Sequence, residues 1–140
     1  MASGTPRMTH VFALRVYYED TDLAGIVYYA NYLKFIERAR TEWVRGLGVD
    51  QTALRAAQGL VFAVRRVEAD YLRPARFDDA LQVQTRVFAV TGARITLDQA
   101  VWRGAERLFD AKVTLVCLTV DGHAARIPTN LRQKLGAAQH

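Results

Sequence analysis

The chain has 140 residues and a single cysteine, Cys117, so it forms no internal disulfide, and no Cys/His spacing reads as a zinc site. No apolar run approaches the ~18 residues that cross a bilayer. The polar start, Met1 to Arg7, has none of the apolar core of a signal peptide. These absences predict a cytoplasmic protein with no stable membrane insertion. Lysine stands only at Lys34, Lys112 and Lys134, so arginine carries most of the positive side of a formal net charge of +5. The arginines are scattered, and Arg65-Arg66 is the only adjacent pair. Without a basic run or an aromatic-interleaved basic stripe, a nucleic-acid partner is not expected. The charge permits an anionic ligand and identifies none.

Several chemistries are missing as well. No G-x-S-x-G, Walker A, Rossmann or HExxH string occurs. His10, His123 and His140 lie near ends or turns, and Cys117 sits in an apolar segment as a small buried thiol. No metal or redox cofactor is implied, and the remaining chemical candidates are carboxylates. At 51% hydrophobic and 24% charged, the composition is that of a globular domain. The expectation is one domain over 1–140, with loose tails at about 1–8 and 133–140.

The hydrophobic periods define the elements. Phe12, Leu14, Val16 and Tyr18 alternate along a half-buried strand. After an acidic turn, Tyr29, Tyr32, Leu33, Ile36, Trp43, Val44 and Leu47 recur at helical spacing, and Gly46 and Gly48 mark the stop. A short helical turn over 51–58 precedes four strands. In the first, Val61, Ala63, Val67, Ala69 and Tyr71 are assigned to one face, and Pro74 ends it. Strands over 81–90, around 95–101 and over 107–120 follow, with a tail helix from about Thr129. The nearly continuous apolar stretch from Val113 to Val120 suggests burial on both faces. A strand, one long helix and an antiparallel meander make an α+β architecture, with the sheet wrapped around the helix.

The acidic turn asks for a chemical account. Glu19, Asp20 and Asp22 crowd three carboxylates into four positions, just before the long helix. One reading is ordinary: such residues form Asx-turns and meet helix N-termini. The other is catalytic. A helix N-terminus offers unpaired N–H groups and partial positive charge, which stabilise the oxyanion of a thioester under attack. A neighbouring carboxylate then attacks the carbonyl or deprotonates a water that does.

The run Tyr18-Glu19-Asp20-Thr21-Asp22-Leu23-Ala24-Gly25-Ile26-Val27-Tyr28-Tyr29-Ala30-Asn31-Tyr32 resembles the signature of the 4-hydroxybenzoyl-CoA thioesterase family of hotdog-fold proteins. Phe35 to Glu42 and Tyr71 to Asp79 are similar to its YbgC-like acyl-CoA thioesterase branch, and the likeness spans roughly residues 11 to 130. The resemblance implies an acyl-CoA substrate, with CoA as part of the substrate and no separate cofactor. It assigns the catalytic carboxylate to Asp22 and the oxyanion donor to the backbone N–H of Tyr29, with Gly25 supporting the turn between them. Glu19 and Asp20 are then structural. Glu37, eight residues beyond Tyr29, matches the helix-borne glutamate of another hotdog branch and is a second candidate for the catalytic carboxylate. Its plain reading is a salt bridge with Lys34, Arg38 or Arg40. Tyr29 itself stands where the YbgC-like branch commonly carries His. CoA phosphates have four arginine candidates, Arg65, Arg66, Arg73 and Arg126.

The resemblance further implies a homodimer or homotetramer with sites at subunit interfaces, and Tol-Pal-linked or acyl-carrier-protein contacts. The alternative function is a hotdog module that binds acyl-CoA, an acyl carrier or a protein partner without turnover.

Overall fold

The computed structural model describes residues 9–139. Five strands form one antiparallel sheet in the order β1-β3-β4-β5-β2. They are β1 (His10–Arg15), β2 (Leu60–Tyr71), β3 (Ala80–Val90), β4 (Arg94–Arg103) and β5 (Glu106–Thr119). Three helices complete the fold: α1 (Asn31–Gly46), α2 (Gln51–Gln58) and α3 (Thr129–Gln139). The expected tail over 1–8 lies outside the described residues. The expectation of a loose tail over 133–140 is corrected as far as Leu135, because Leu131 and Leu135, one helical turn apart on α3, are both buried in the core. No helix among the described residues is long and apolar enough to cross a membrane.

α1 buries Tyr32, Phe35, Ile36, Ala39 and Trp43, an i, i+3, i+4 stripe packed in one core with Val83, Leu97, Val101, Phe109 and Val113 of the sheet. The large side chains among these each contribute roughly 1.5–3 kcal/mol on burial. The helix begins two residues later than the period suggests, and Tyr29 and Leu33 stand exposed. The reason is a turn over 28–31, closed by Asn31 N–H donating to the Tyr28 carbonyl at 2.8 Å.

Two strand readings are corrected. In β2 the register slips between Val64 and Arg66, so the strand carries a bulge at Arg65. Up to Val64 the inner partners of β5 meet Phe62 and Val64; after the bulge they meet Val67, Ala69 and Tyr71. Val61 and Ala63 therefore face the opposite side from Val67, Ala69 and Tyr71. From Val113 onward in β5 only alternate residues, Val113, Leu115 and Cys117, are buried, while Val116 and Leu118 stay half-buried on the outer face. Both edges of β5 are paired, by β4 and β2, yet only its inner face meets the helix layer.

Candidate active site

The site is built where β1 hands the chain to α1. Residues 18–20 make a 3-10 turn capped by Asp20, whose carboxylate accepts from the Tyr17 N–H at 2.8 Å. Thr21 then bridges Val27, and Ile26 bridges Arg76 of the segment after β2. At the tip, Gly25 N–H donates to the Asp22 carbonyl at 3.0 Å, with Gly25 at φ +78°. That is the left-handed region, so the turn that presents Asp22 depends on glycine.

Asp22 is exposed, and its Oδ1 accepts from the Ala24 N–H at 2.9 Å. The Asx-turn of the plain reading is therefore present. The other carboxylate oxygen has no hydrogen-bond partner among the described residues and faces solvent. Glu19 is exposed as well, whereas Asp20 is tied into the turn.

At the start of α1, Ala30 occupies the cap position and supplies no side-chain cap. The N–H groups of Tyr29 and Ala30 have no acceptor among the described residues, which leaves them to a ligand or to water. The segment is held from two sides. The Asp20 carbonyl accepts from both Tyr28 N–H and Asn31 Nδ2, each at 2.9 Å, and Tyr71 Oη donates to the Tyr29 carbonyl at 2.9 Å. The Thr21–Val27 bridge and the Asp20 carbonyl thus bring the acidic turn alongside the uncapped helix start. Around it the rings of Tyr28, Tyr29, Tyr71, Tyr32 and Phe109 form a chain of edge contacts, closed by the stacked pair Tyr32–Phe109 at 5.0 Å. Burial raises the Tyr32 and Tyr71 hydroxyls above the ordinary tyrosine value.

Glu37 lies elsewhere. Eight residues along the helix place it about 12 Å from Tyr29, on the wall of a separate, largely apolar pocket of about 220 Å³ with Arg40, Thr41, Val44, Phe62 and Leu135. Its carboxylate accepts from Thr41 Oγ1 at 2.7 Å, so a hydroxyl, rather than the expected lysine or arginine, is its hydrogen-bond partner. Arg40 instead turns inward to the buried Gln99 at 3.0 Å. Burial lowers the Arg40 pKa from its ordinary value, with Glu37 acting in the opposite sense.

Of the four arginines considered for CoA phosphates, Arg66 pairs with Glu68 and Arg73 with Glu106, while Arg126 lays its guanidinium against Gly92. Arg65 occupies the β2 bulge. Cys117 is buried, and burial pushes its thiol up, which makes it a poor nucleophile. The sequence reading missed Asn31 and Tyr71 at the helix start. Tyr71 contacts a residue 42 positions away, and no local pattern marks such a pair.

Residues 16–135 match the family model of the thioesterase-like superfamily. The chain belongs to that family. It is 46% identical over 107 residues to acyl-CoA thioesterase YbgC of Haemophilus influenzae, covering 76% of this chain and 79% of the relative. Identity to the acyl-CoA thioester hydrolase YbgC of Escherichia coli is 42% over 106 residues, covering 75% and 78%. Among solved structures, a probable thioesterase from Bartonella henselae superposes with a TM-score of 0.82 at 38% identity, covering 86% of this chain and 99% of that one. A 1,4-dihydroxy-2-naphthoyl-CoA thioesterase from Synechocystis shares the fold with a TM-score of 0.85 at 21% identity, covering 94% and 98%. The hotdog architecture expected from the sequence is the architecture observed.

Proposed function

We propose that this chain hydrolyses acyl-CoA thioesters to a free carboxylic acid and CoA, with Asp22 as the reacting carboxylate and the Tyr29 N–H as the oxyanion donor. The observation that carries the reading is the uncapped start of α1: the Tyr29 N–H lacks an acceptor while the exposed Asp22 carboxylate stands on the adjoining turn. The naming of the Haemophilus and Escherichia relatives for acyl-CoA thioesters supports the same substrate class.

The thioester carbonyl is polarised by the N–H as its oxygen gains charge. In the general-base form, Asp22 takes a proton from water as the water oxygen bonds to the carbonyl carbon. The carbon–sulfur bond then breaks, and the proton passes to the departing CoA thiolate. In the nucleophilic form, Asp22 bonds to the carbon, CoA leaves, and water opens the resulting anhydride. Water is the second substrate in both, and neither form needs a cofactor.

A homodimer fits the same reading. β2 is an edge strand of 12 residues, paired only with β5 among the described residues, and Val64, Val67 and Tyr71 on it are exposed. A long edge strand that exposes apolar side chains invites a second copy, and antiparallel pairing of two β2 strands joins the sheets.

Free-thiol release from short, medium, long and aromatic acyl-CoAs tests the function. Asp22→Asn is expected to lower kcat at least ~100-fold on any substrate that wild type turns over. Activity within severalfold of wild type would remove Asp22 from the mechanism. Tight acyl-CoA binding with no hydrolysis by wild type would favour the binding-module alternative.

A further inference from the structure

We infer that Tyr71 is a positioning residue for the reaction: from β2, its hydroxyl holds the Tyr29 carbonyl and so fixes the Tyr29–Ala30 peptide, the plane next to the one that carries the Tyr29 N–H. This rests on the reading of that N–H as the oxyanion donor.

Tyr29 precedes the cap residue Ala30, so its carbonyl stands outside the hydrogen-bond ladder of α1. Were the helix to reach back to residue 29, that carbonyl would accept from the N–H of residue 33. Here the Leu33 N–H goes to the Ala30 carbonyl at 3.2 Å, and the Tyr29 carbonyl accepts from Tyr71 Oη at 2.9 Å. Tyr71 is its one hydrogen-bond partner among the described residues. The first turn is therefore tightened, and the carbonyl just ahead of the cap residue is anchored to the sheet.

The direction of an N–H follows from its own peptide plane and from the torsions next to it. The plane that carries the Tyr29 N–H is fixed through its carbonyl, Tyr28 O, which accepts from Asn31 N–H at 2.8 Å. That bond also polarises the Tyr29 N–H and strengthens it as a donor. The following plane is fixed by Tyr71. The other anchors of this segment, Tyr28 N–H and Asn31 Nδ2 on the Asp20 carbonyl, run to the neighbouring acidic turn. Only the Tyr71 bond ties the Tyr29 carbonyl to the rigid sheet.

Tyr71 is itself held in place. Its ring packs edge-on against Phe109 at 4.9 Å, Tyr32 at 5.5 Å and Tyr29 at 6.1 Å, so the hydroxyl needs no reordering before it donates. Partial burial of that hydroxyl shifts its pKa upward from the ordinary tyrosine value. Small displacements of an oxyanion donor are costly, since the donor must meet the oxygen where charge develops and not where the ground-state carbonyl lies.

The test compares wild type, Tyr71→Phe and Asp22→Asn on the best acyl-CoA of the panel. Tyr71→Phe keeps the ring and removes the donor. The expected result is a kcat lowered about tenfold, a part of the 10²–10³ typical of losing a whole oxyanion donor. KM is expected to stay within about twofold, with the far-UV spectrum and melting curve unchanged. In an amide NMR spectrum, the Ala30 resonance shifts, because its N–H shares the peptide whose carbonyl loses the bond. An unchanged kcat in Tyr71→Phe, with Asp22→Asn inactive, overturns the positioning role and leaves the catalytic reading intact. Full activity in Asp22→Asn overturns the Asp22 assignment, while the kcat and KM of Tyr71→Phe still decide the clamp. A parallel rise in KM with no loss of kcat assigns Tyr71 to substrate binding and also overturns the proposal.

Discussion

Arg103 donates to Asp79 at 2.8 Å, and the two side chains lie mostly out of solvent where β4 ends and β3 begins. Asp79 Oδ2 also accepts from the Arg76 N–H at 2.8 Å, and Arg103 reaches the Pro74 carbonyl at 3.2 Å. This segment buttresses the site. Ala75 N–H donates to Tyr32 Oη, and the Ala75 carbonyl accepts from Val27 N–H.

The pair makes stability depend on acid. Burial alone raises the Asp79 pKa, but the Arg76 N–H and the Arg103 guanidinium outweigh it, and the net shift is downward. A depressed carboxylate contributes stability above its unfolded value of about 3.9 and loses it as pH falls through the folded value. Asp79→Asn should therefore cost about 1–2 kcal/mol near neutral pH, with the difference shrinking below about pH 4. Urea unfolding of both proteins between pH 2.5 and 7 checks this; a difference independent of pH would assign the cost to packing.

Gly25→Ala tests the turn. A Cβ built at Gly25 meets nothing within 4 Å, so its cost comes from φ +78° alone. About 1 kcal/mol of stability should be lost, together with activity, as the turn relaxes and Asp22 moves. Unaltered stability and turnover would show that the turn tolerates another backbone path.

Gln99 ties the core together. Its Nε2 donates to the Ile36 carbonyl and to Thr85 Oγ1, and its Oε1 accepts from Arg40. Gln99→Leu strands a largely buried guanidinium and a buried hydroxyl, so a loss of about 2–4 kcal/mol is expected by denaturant titration. A loss below about 1 kcal/mol would mean that water or a rearranged Arg40 replaces the amide.

Glu37→Gln separates the two carboxylates. The carboxylate is exposed and bonded to Thr41, so stability should change by less than about 0.5 kcal/mol. Turnover should stay within about threefold of wild type, the size of a surface charge effect. A loss comparable to that in Asp22→Asn would transfer the essential role to Glu37.

Local period and local chemistry marked out the α1 core face, the meander, the acidic turn and the glycine at its tip. Those features depend on residues within a few positions of one another: Tyr32, Phe35, Ile36, Ala39 and Trp43 on one helix face, and Gly25 three residues after Asp22. The faces of β2 were not legible. A single extra residue at Arg65 reverses the side on which every later residue lies, and nothing in Val64-Arg65-Arg66 announces it. The tail from 133 was misread because the leucines that make α3 bury themselves only when a sheet is present to receive them.

The sequence by itself determined a hotdog thioesterase signature, a carboxylate on a glycine turn and a long helix to follow it. Tertiary structure alone decided what holds the helix start. The Tyr29 carbonyl, just ahead of the helix cap, finds its donor in Tyr71, 42 residues away, which the pairing of β2 with β5 delivers to it. Contacts between distant residues depend on register and packing, which arise only when the whole sheet closes around α1.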